Sequence, residues 1–451
     1  MTNLPPAFLA QMSLSIGEEL PDFLKALSEN TPVSVRLNAR KKHPDHSEFD
    51  KIPWHTEGYF LPVRPSFTLD PTFHAGAYYV QEASSMFIAE AATQLIDFQR
   101  NITVLDLCAA PGGKSTLLAS LLSEDSFLLA NEVIKSRVDI LKENIQKWGY
   151  PNVHVTNHDS EDFLPLEGFF DLVLVDAPCS GEGLFRKDPK AANEWSPDSV
   201  QACSKRQKRI LANAAKLLKP DGILLYSTCT YNDFENKNNV EWLLKSNDFE
   251  QKRLKLNPDW GICEKELGYQ FYPHKVRGEG FFLSVLQKKN GAIDPLSMGK
   301  LRAEKLPKKQ VEAASKWLKS PDKFEFYVKA NGQVFIILKN HVIRYALIDK
   351  VLQRKSSGVS IGEFKGNDFI PSHELALSIE ISDGIPSVNL SKNEALRFLK
   401  KENIELQCDA PQGWVLAQYE GLNLGWMKVL KNRINNYLPK DFRIRMKLND
   451  E

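Results

Sequence analysis

TVLDLCAAPGGKST, residues 103–116, sets an apolar run ending at Leu107 before a Gly-Gly turn, with a helix expected from near Ser115. Small residues at that junction let backbone amides approach a ligand at the helix N-terminus, so a bound small molecule is expected there. A phosphate-binding P-loop needs glycine five positions before Gly113, where Cys108 stands, and no GxGxxG dinucleotide motif is present. The loop Cys108, Ala109, Ala110, Pro111, Gly112, Gly113 and Lys114 is therefore a ligand loop of another kind.

Outward from this stretch, short apolar runs alternate with amphipathic segments. FLLANE, VHVT, DLVLVDA and GILLYST read as strands, and helices are expected over residues 135–148 and 199–218. That alternation predicts an α/β fold with a Rossmann-like, doubly wound and mostly parallel sheet. A helix near residues 234–246 and strands at 269–273 and 280–287 suit an antiparallel edge on the same sheet.

Glu132 ends the second strand about 20 residues past the Gly pair, the distance at which a carboxylate meets a ribose diol in such sheets. Asp159 follows the third strand and Asp176 ends the fourth. Carboxylates after consecutive strands converge on one sheet edge. With no pyrophosphate-binding motif beside them, they favour an adenosine-containing cofactor, and S-adenosylmethionine fits best.

VDAPCSGEG places Cys179 just beyond Asp176, and YSTCTY places Cys229 beyond the fifth strand. Either cysteine alone reads as a buried apolar residue; two at neighbouring strand ends suggest chemistry. The C5 carbon of cytosine is a poor nucleophile until a thiolate adds at C6, and the thiol must leave again once a base removes the C5 proton. Asp176 could stabilise that addition at the N3/N4 edge of the base. Spacing alone does not say which thiol attacks.

The chain has 451 residues, too many for one core, and 58 Lys+Arg against 57 Asp+Glu, so the overall charge announces no polyanionic partner. Locally the balance differs: residues 251–320 hold 15 basic against 7 acidic residues, a surplus of eight. KVLKNRINNYLPKDFRIRMK, residues 428–447, adds a second basic run. Solvated linker and tail are the bland reading; a phosphate-tracking surface that includes Lys428 and Lys431 is the alternative. The six cysteines form no CxxC pair, so neither a zinc site nor a disulfide framework is expected. The N-terminus shows no secretory signal, and no run approaches the roughly 18 apolar residues of a membrane span. A cytoplasmic protein, with no metal and no membrane partner, is expected.

DLCAAPGGKST (106–116), VDAPCSGEG (175–183), YSTCTY (226–231) and PHKVRGEGFF (273–282) resemble the Nop/Sun family of RNA (cytosine-5) methyltransferases. YYVQEASSM (78–86) and SVRLN (34–38) resemble its upstream motifs, so the likeness spans roughly residues 30–287. The resemblance implies S-adenosylmethionine held by Cys108 to Lys114, Glu132, Arg137, Asp159 and Asp176. It implies Cys229 as nucleophile, Cys179 in product release, and Lys187 near the target base. Arg36 in SVRLN and Glu279 in PHKVRGEG could shape the cleft or the RNA path, and Tyr78 and Trp195 could stack on a splayed base, with structural and core-packing roles as the bland readings.

GEFKGNDFIPSHELAL (362–377) and GLNLGWMKVLKNRINNYLP (421–439) resemble the bacterial RsmF-type branch, which acts on small-subunit ribosomal RNA. That branch implies a PUA-like RNA-binding C-terminus and 16S rRNA or the 30S subunit as partner. The expected division is an N-terminal substrate-positioning domain over 1–72, a methyltransferase domain over 73–289, a linker and first C-terminal domain over 290–372, and a PUA-like domain over 373–451. A monomer is expected. A tRNA cytosine-5 methyltransferase and a non-catalytic ribosome assembly factor stand as alternatives.

Overall fold

The computed structural model describes residues 4–289, 291, 299, 301–352, 358–402, 404 and 411–446. Cys408, Lys447 and most of the expected linker between residues 290 and 300 lie outside the described residues.

Two helices, Pro6–Ile16 and Leu20–Ser28, precede a three-stranded sheet of β1 (Val33–Leu37), β2 (Gly58–Leu61) and β3 (Tyr78–Val80), with β1 in the middle and antiparallel to both. The central sheet follows. Its strands are β4 (Thr103–Asp106), β5 (Phe127–Asn131), β6 (Val153–Thr156), β7 (Phe170–Asp176), β8 (Leu218–Thr228), β9 (Phe249–Gln251), β10 (Cys263–Lys265), β11 (Gly268–Phe271) and β12 (Phe281–Lys288). Their order is β10-β11-β12-β8-β7-β4-β5-β6, with β9 paired to β12. Strands β4 to β8 run parallel to one another, and β12, β11 and β10 continue the sheet beyond β8 with antiparallel pairing. The expected doubly wound sheet with an antiparallel edge is what forms.

Period-2 alternation explains how this sheet is buried on both faces. Val104, Leu128, Leu172, Leu174 and Leu225 join one apolar cluster, while Leu105, Phe127, Leu129, Val173 and Leu224 join another. The flanking helices are ended by local chemistry. Ser196 and Ser199 form a reciprocal capping box at the start of Pro197–Leu217, and Gly149, at φ +83°, stops Lys135–Trp148. Strand order reverses between β4 and β7, which opens a crevice at the carboxyl ends of those strands. The Gly-Gly loop and the Asp176–Cys179 loop both stand there.

Beyond residue 300 come an antiparallel meander of five strands, Glu304–Lys305 to Asp368–Pro371, and a four-stranded sheet, Ser387–Asn389 to Arg433–Asn436. The helix Val342–Leu352 packs Tyr345, Ile348 and Leu352 into the cluster on one face of the central sheet. The N-terminal sheet and the four-stranded sheet share a core in which Val35, Leu37 and Tyr78 meet Phe398, Val415 and Met427. The chain's first and last sheets thus close on each other. Lys41 ties the joint: its ammonium donates to Ala75 O (2.9 Å), Lys147 O (2.6 Å) and Leu377 O (2.8 Å). Among the described residues, no helix is long and apolar enough to cross a membrane.

Candidate active site

The ligand loop leaves β4 at Asp106. Ser115 Oγ donates to Asp106 Oδ2 at 2.6 Å, while Oδ1 is buried without a hydrogen-bond partner. Burial pushes the Asp106 carboxyl up to about 7. Gly112 sits at φ +113°, a backbone that only glycine adopts without strain, and starts the helix Gly113–Leu121. Outer side chains hold the loop by its carbonyls: Arg137 Nη2 donates to Ala110 O (2.7 Å) and Asn144 Nδ2 to Pro111 O (2.8 Å). Ala109 N donates to Asn131 O at 2.7 Å. Cys108 is half-buried at the start of the loop; burial, then the charges of Asp106, Asp176 and Glu132, push its thiol upward.

Glu132 is buried at the end of β5, with Ile134 N on Oε1 (2.8 Å) and Arg137 Nη1 3.4 Å from Oε2. Asp159, past β6, is engaged by Arg209 on both oxygens, at 2.6 and 2.8 Å, and that guanidinium holds its carboxyl below the usual range. Lys114 Nζ reaches across the crevice to Asp176 Oδ2 at 2.8 Å, and Ser227 Oγ donates to Asp176 Oδ1 at 2.7 Å. Burial works against the Lys114 charge, but Asp176 outweighs it and the ammonium is shifted upward.

Next to this pair lie the two thiols. Cys179 Sγ and Cys229 Sγ are 2.7 Å apart, and Cys229 N points at Cys179 Sγ from 3.3 Å. Both are free and half-buried. The Cys229 thiol beside it, burial and the Glu235 charge all push Cys179 well above its ordinary value. The loops touch through their backbones too, with Gly183 N donating to Cys229 O at 2.7 Å. A Cβ on Gly183 would stand 2.8 Å from that same oxygen and 2.6 Å from Gly280 O, so only glycine allows the approach. The arrangement presents a thiol pair, a carboxylate and an ammonium at one crevice, the groups that addition to and elimination from an aromatic ring require.

The residues expected on the RNA path fare differently. Arg36 is a correction: it is fully buried and cannot touch RNA. Its guanidinium donates to Gln81 Oε1 (2.9 Å), Thr116 Oγ1 (2.6 Å), Ser120 Oγ (3.2 Å) and Gly113 O (3.3 Å), and lies over the Trp148 ring. It braces β1 against the helix after the ligand loop. Lys187 is exposed beyond the Pro-Cys loop, Lys431 is exposed, and Lys428 is half-buried with its ammonium 5.1 Å from the Trp414 ring centre. Glu279 forms a buried ion pair with Arg186 at 2.9 Å, and Tyr78 and Trp195 are buried.

Sequence reasoning missed Glu182 and Glu235. Both are fully buried at the thiol loops and bind the opposite loop. The signal was in plain sight, since Glu182 is the glutamate of SGEG and Glu235 lies six residues past Cys229. A charged residue in a loop carries no periodicity, however, and reads as solvated. Among the described residues, no group of three or more His, Cys, Asp and Glu could hold a metal ion.

Comparison with known proteins places this geometry. A family model for the 16S rRNA methyltransferase RsmB/F matches residues 93–287. Models for the N-terminal domain of 16S rRNA methyltransferase RsmF and for the methyltransferase RsmF PUA domain match residues 4–83 and 385–444. Relatives named ribosomal RNA small subunit methyltransferase F are 31% identical in Aeromonas salmonicida, over 98% of this chain and 97% of that one. The Shewanella piezotolerans relative is 30% identical, over 95% of each chain. Among solved structures, a methyltransferase homolog protein from Pyrococcus horikoshii is similar with a TM-score of 0.55 and 29% identity, over 64% of this chain and 96% of that one. NSun6 from the same organism shares the fold, with a TM-score of 0.54 and 21% identity over 64% of this chain and 100% of that one. An α/β methyltransferase sheet followed by a PUA domain, matched along almost its whole length by these relatives, makes this chain a member of the RsmB/F methyltransferase family, in its RsmF branch.

Proposed function

We propose that this protein methylates C5 of cytosine in 16S ribosomal RNA, with S-adenosylmethionine as methyl donor. The observation that carries the reading is the meeting of Cys179, Cys229 and Asp176 at one crevice in a chain of this family. The cofactor supplies an electrophilic methyl group when bound. The loop Cys108–Lys114, Glu132 and Arg137 would hold it, with Asp159 at the rim. The fit is chemical: the Asp106 Oδ1 oxygen lacks a donor that an ammonium group can provide, and Glu132 stands where a ribose diol is met.

The Cys229 thiolate adds to C6 of the cytosine, which makes C5 nucleophilic. Asp176, kept in place by Lys114 and Ser227, binds the N3/N4 edge and steadies the charge that develops. After C5 is methylated its proton is removed, the C6–S bond breaks, and Cys179 assists that release. Both thiols being held against one another suits a division of labour in which one attacks and the other serves elimination.

The target base must be unstacked, at a cost of a few kcal/mol, and the domains flanking the sheet are the source of that energy. Residues 1–72 and 373–451 would position the RNA around the catalytic domain at 73–289, with 290–372 as a linker and first C-terminal domain. Lys187 would stand near the target base, and Lys428 and Lys431 would contact phosphates. The protein would act as a cytoplasmic monomer on 16S rRNA or the 30S subunit, without a metal.

Transfer of labelled methyl to 16S rRNA, 30S subunits and bulk tRNA tests this. Label in 5-methylcytosine of 16S rRNA, from either form, is expected. Label in tRNA alone would overturn the substrate. No label in any RNA, with cofactor bound, would favour an assembly factor.

A further inference from the structure

Cys179 and Cys229 sit on separate loops, and two glutamates cross between those loops in opposite directions. Glu182, three residues past Cys179, accepts at Oε2 from Thr230 Oγ1 (2.5 Å), Tyr231 N (2.8 Å) and Asn232 N (3.1 Å), the three residues that follow Cys229. Its Oε1 accepts from Asn232 Nδ2 (2.8 Å), Trp195 Nε1 (3.1 Å) and Gln11 Nε2 (3.1 Å). Glu235, six residues past Cys229, accepts from Ser180 N (3.0 Å) and Ser180 Oγ, immediately after Cys179, and from Gln207 Nε2 (2.7 Å). The Asn232 amide bridges both carboxylates, reaching Glu235 Oε1 at 2.9 Å.

Both glutamates are fully buried, and neither has a Lys, Arg or His within ion-pair distance among the described residues. A buried carboxylate without a countercharge is expensive unless its lone pairs are filled. Here neutral donors fill them, and most come from the backbone or side chains of the two cysteine loops. The cost of burial is thereby converted into fixed loop geometry. A packing role alone would be met more cheaply by an apolar side chain.

We infer that Glu182 and Glu235 are positioning residues for the thiol pair: each carboxylate, carried on one cysteine's loop, clasps the other, and together they set the alignment in which Cys179 can serve the release of a Cys229 adduct. The inference rests on the proposed chemistry. Alignment of reacting groups is sensitive to displacements of about 1 Å, which can cost about a hundredfold in rate. Glutamine in place of either glutamate keeps the volume but turns one acceptor into an NH2 facing donors, so the opposite loop must shift.

The test uses the full-length protein with 16S rRNA or 30S subunits and S-adenosylmethionine. Glu182→Gln and Glu235→Gln are compared with wild type for kcat, KM for RNA and the fraction of protein trapped in a denaturation-resistant RNA adduct. Expected are a tenfold or greater fall in kcat, a KM for RNA within twofold of wild type, and a several-fold rise in trapped adduct. Cys179→Ala is expected to trap adduct as well, and adding Glu235→Gln to it should raise the fraction no further, since the glutamate acts through that thiol. If the glutamine variants do not fold, Ser180→Ala and Thr230→Val each remove one clasp contact while leaving the charge; they should show the same pattern at smaller size. Wild-type adduct levels in folded variants, or losses that add to those of Cys179→Ala, would overturn the positioning role. Failure of Cys179→Ala itself to trap adduct would instead overturn the chemistry beneath it.

Discussion

At the carboxyl edge of the central sheet charge is buried and answered; on the C-terminal sheet it stands in water. Glu132, Asp176, Glu182 and Glu235 each have named donors at that edge, and Arg36 behind the ligand loop has four acceptors. Lys431, Arg433, Lys440, Arg443 and Arg445 are exposed and form no ion pair among the described residues. The two regions obey different rules. A buried polar group left unpaired costs about 1–3 kcal/mol, so identity and position are both constrained at the edge. An exposed cation adds a small, screened increment, so the C-terminal surface depends on its total charge more than on any one residue.

Arg36→Met is the substitution that presses hardest on this contrast. Burial pushes the guanidinium down to about 9, so it stays a cation at neutral pH, held only by neutral groups and the Trp148 face. Removing it orphans Gln81 Oε1 and takes a donor from Thr116 Oγ1, which keeps its own bond to Gly112 O. We expect a loss of about 3 kcal/mol in stability by denaturant unfolding, with the salt dependence of RNA binding unchanged. A folded, equally stable Arg36→Met protein with a shallower salt slope would return Arg36 to the RNA path and break the contrast.

Smaller effects sharpen the other side. Lys431→Ala should weaken binding to 16S rRNA about threefold and reduce the salt slope by about 0.7–0.9, the effect of one phosphate contact, with cofactor affinity intact. Lys428→Ala should do the same or slightly less, because its ammonium already lies over Trp414. Salt titrations of the variants that overlay wild type would remove this surface from the RNA contact.

What the sequence made legible follows the same division. TVLDL, FLLANE, VHVT, DLVLVDA and GILLYST became strands of one sheet because its two-sided burial demands near-continuous apolar runs, and Gly112 marked the turn because its backbone admits little else. The adjacency of Cys179 and Cys229 was readable from their places just past neighbouring strands. The helix Val342–Leu352 was not foreseen: Arg344, Asp349 and Lys350 are interspersed around it among its apolar residues, so it lacks a helical stripe although Tyr345, Ile348 and Leu352 are buried. The core shared by Val35 and Met427 joins residues almost 400 positions apart, by way of contacts that leave no local pattern. Arg36 looked like an RNA ligand because a basic residue in a motif carries no mark of its burial.

The division of labour between the thiols is tested most directly by trapping. Cys179→Ala, Cys229→Ala and the double variant would be incubated with 16S rRNA and S-adenosylmethionine, denatured, and any RNA-linked peptide mapped. A stable adduct in Cys179→Ala, attached at Cys229 and absent from both proteins lacking Cys229, is the predicted result. An adduct attached at Cys179, or methyl transfer surviving in Cys229→Ala, would contradict it.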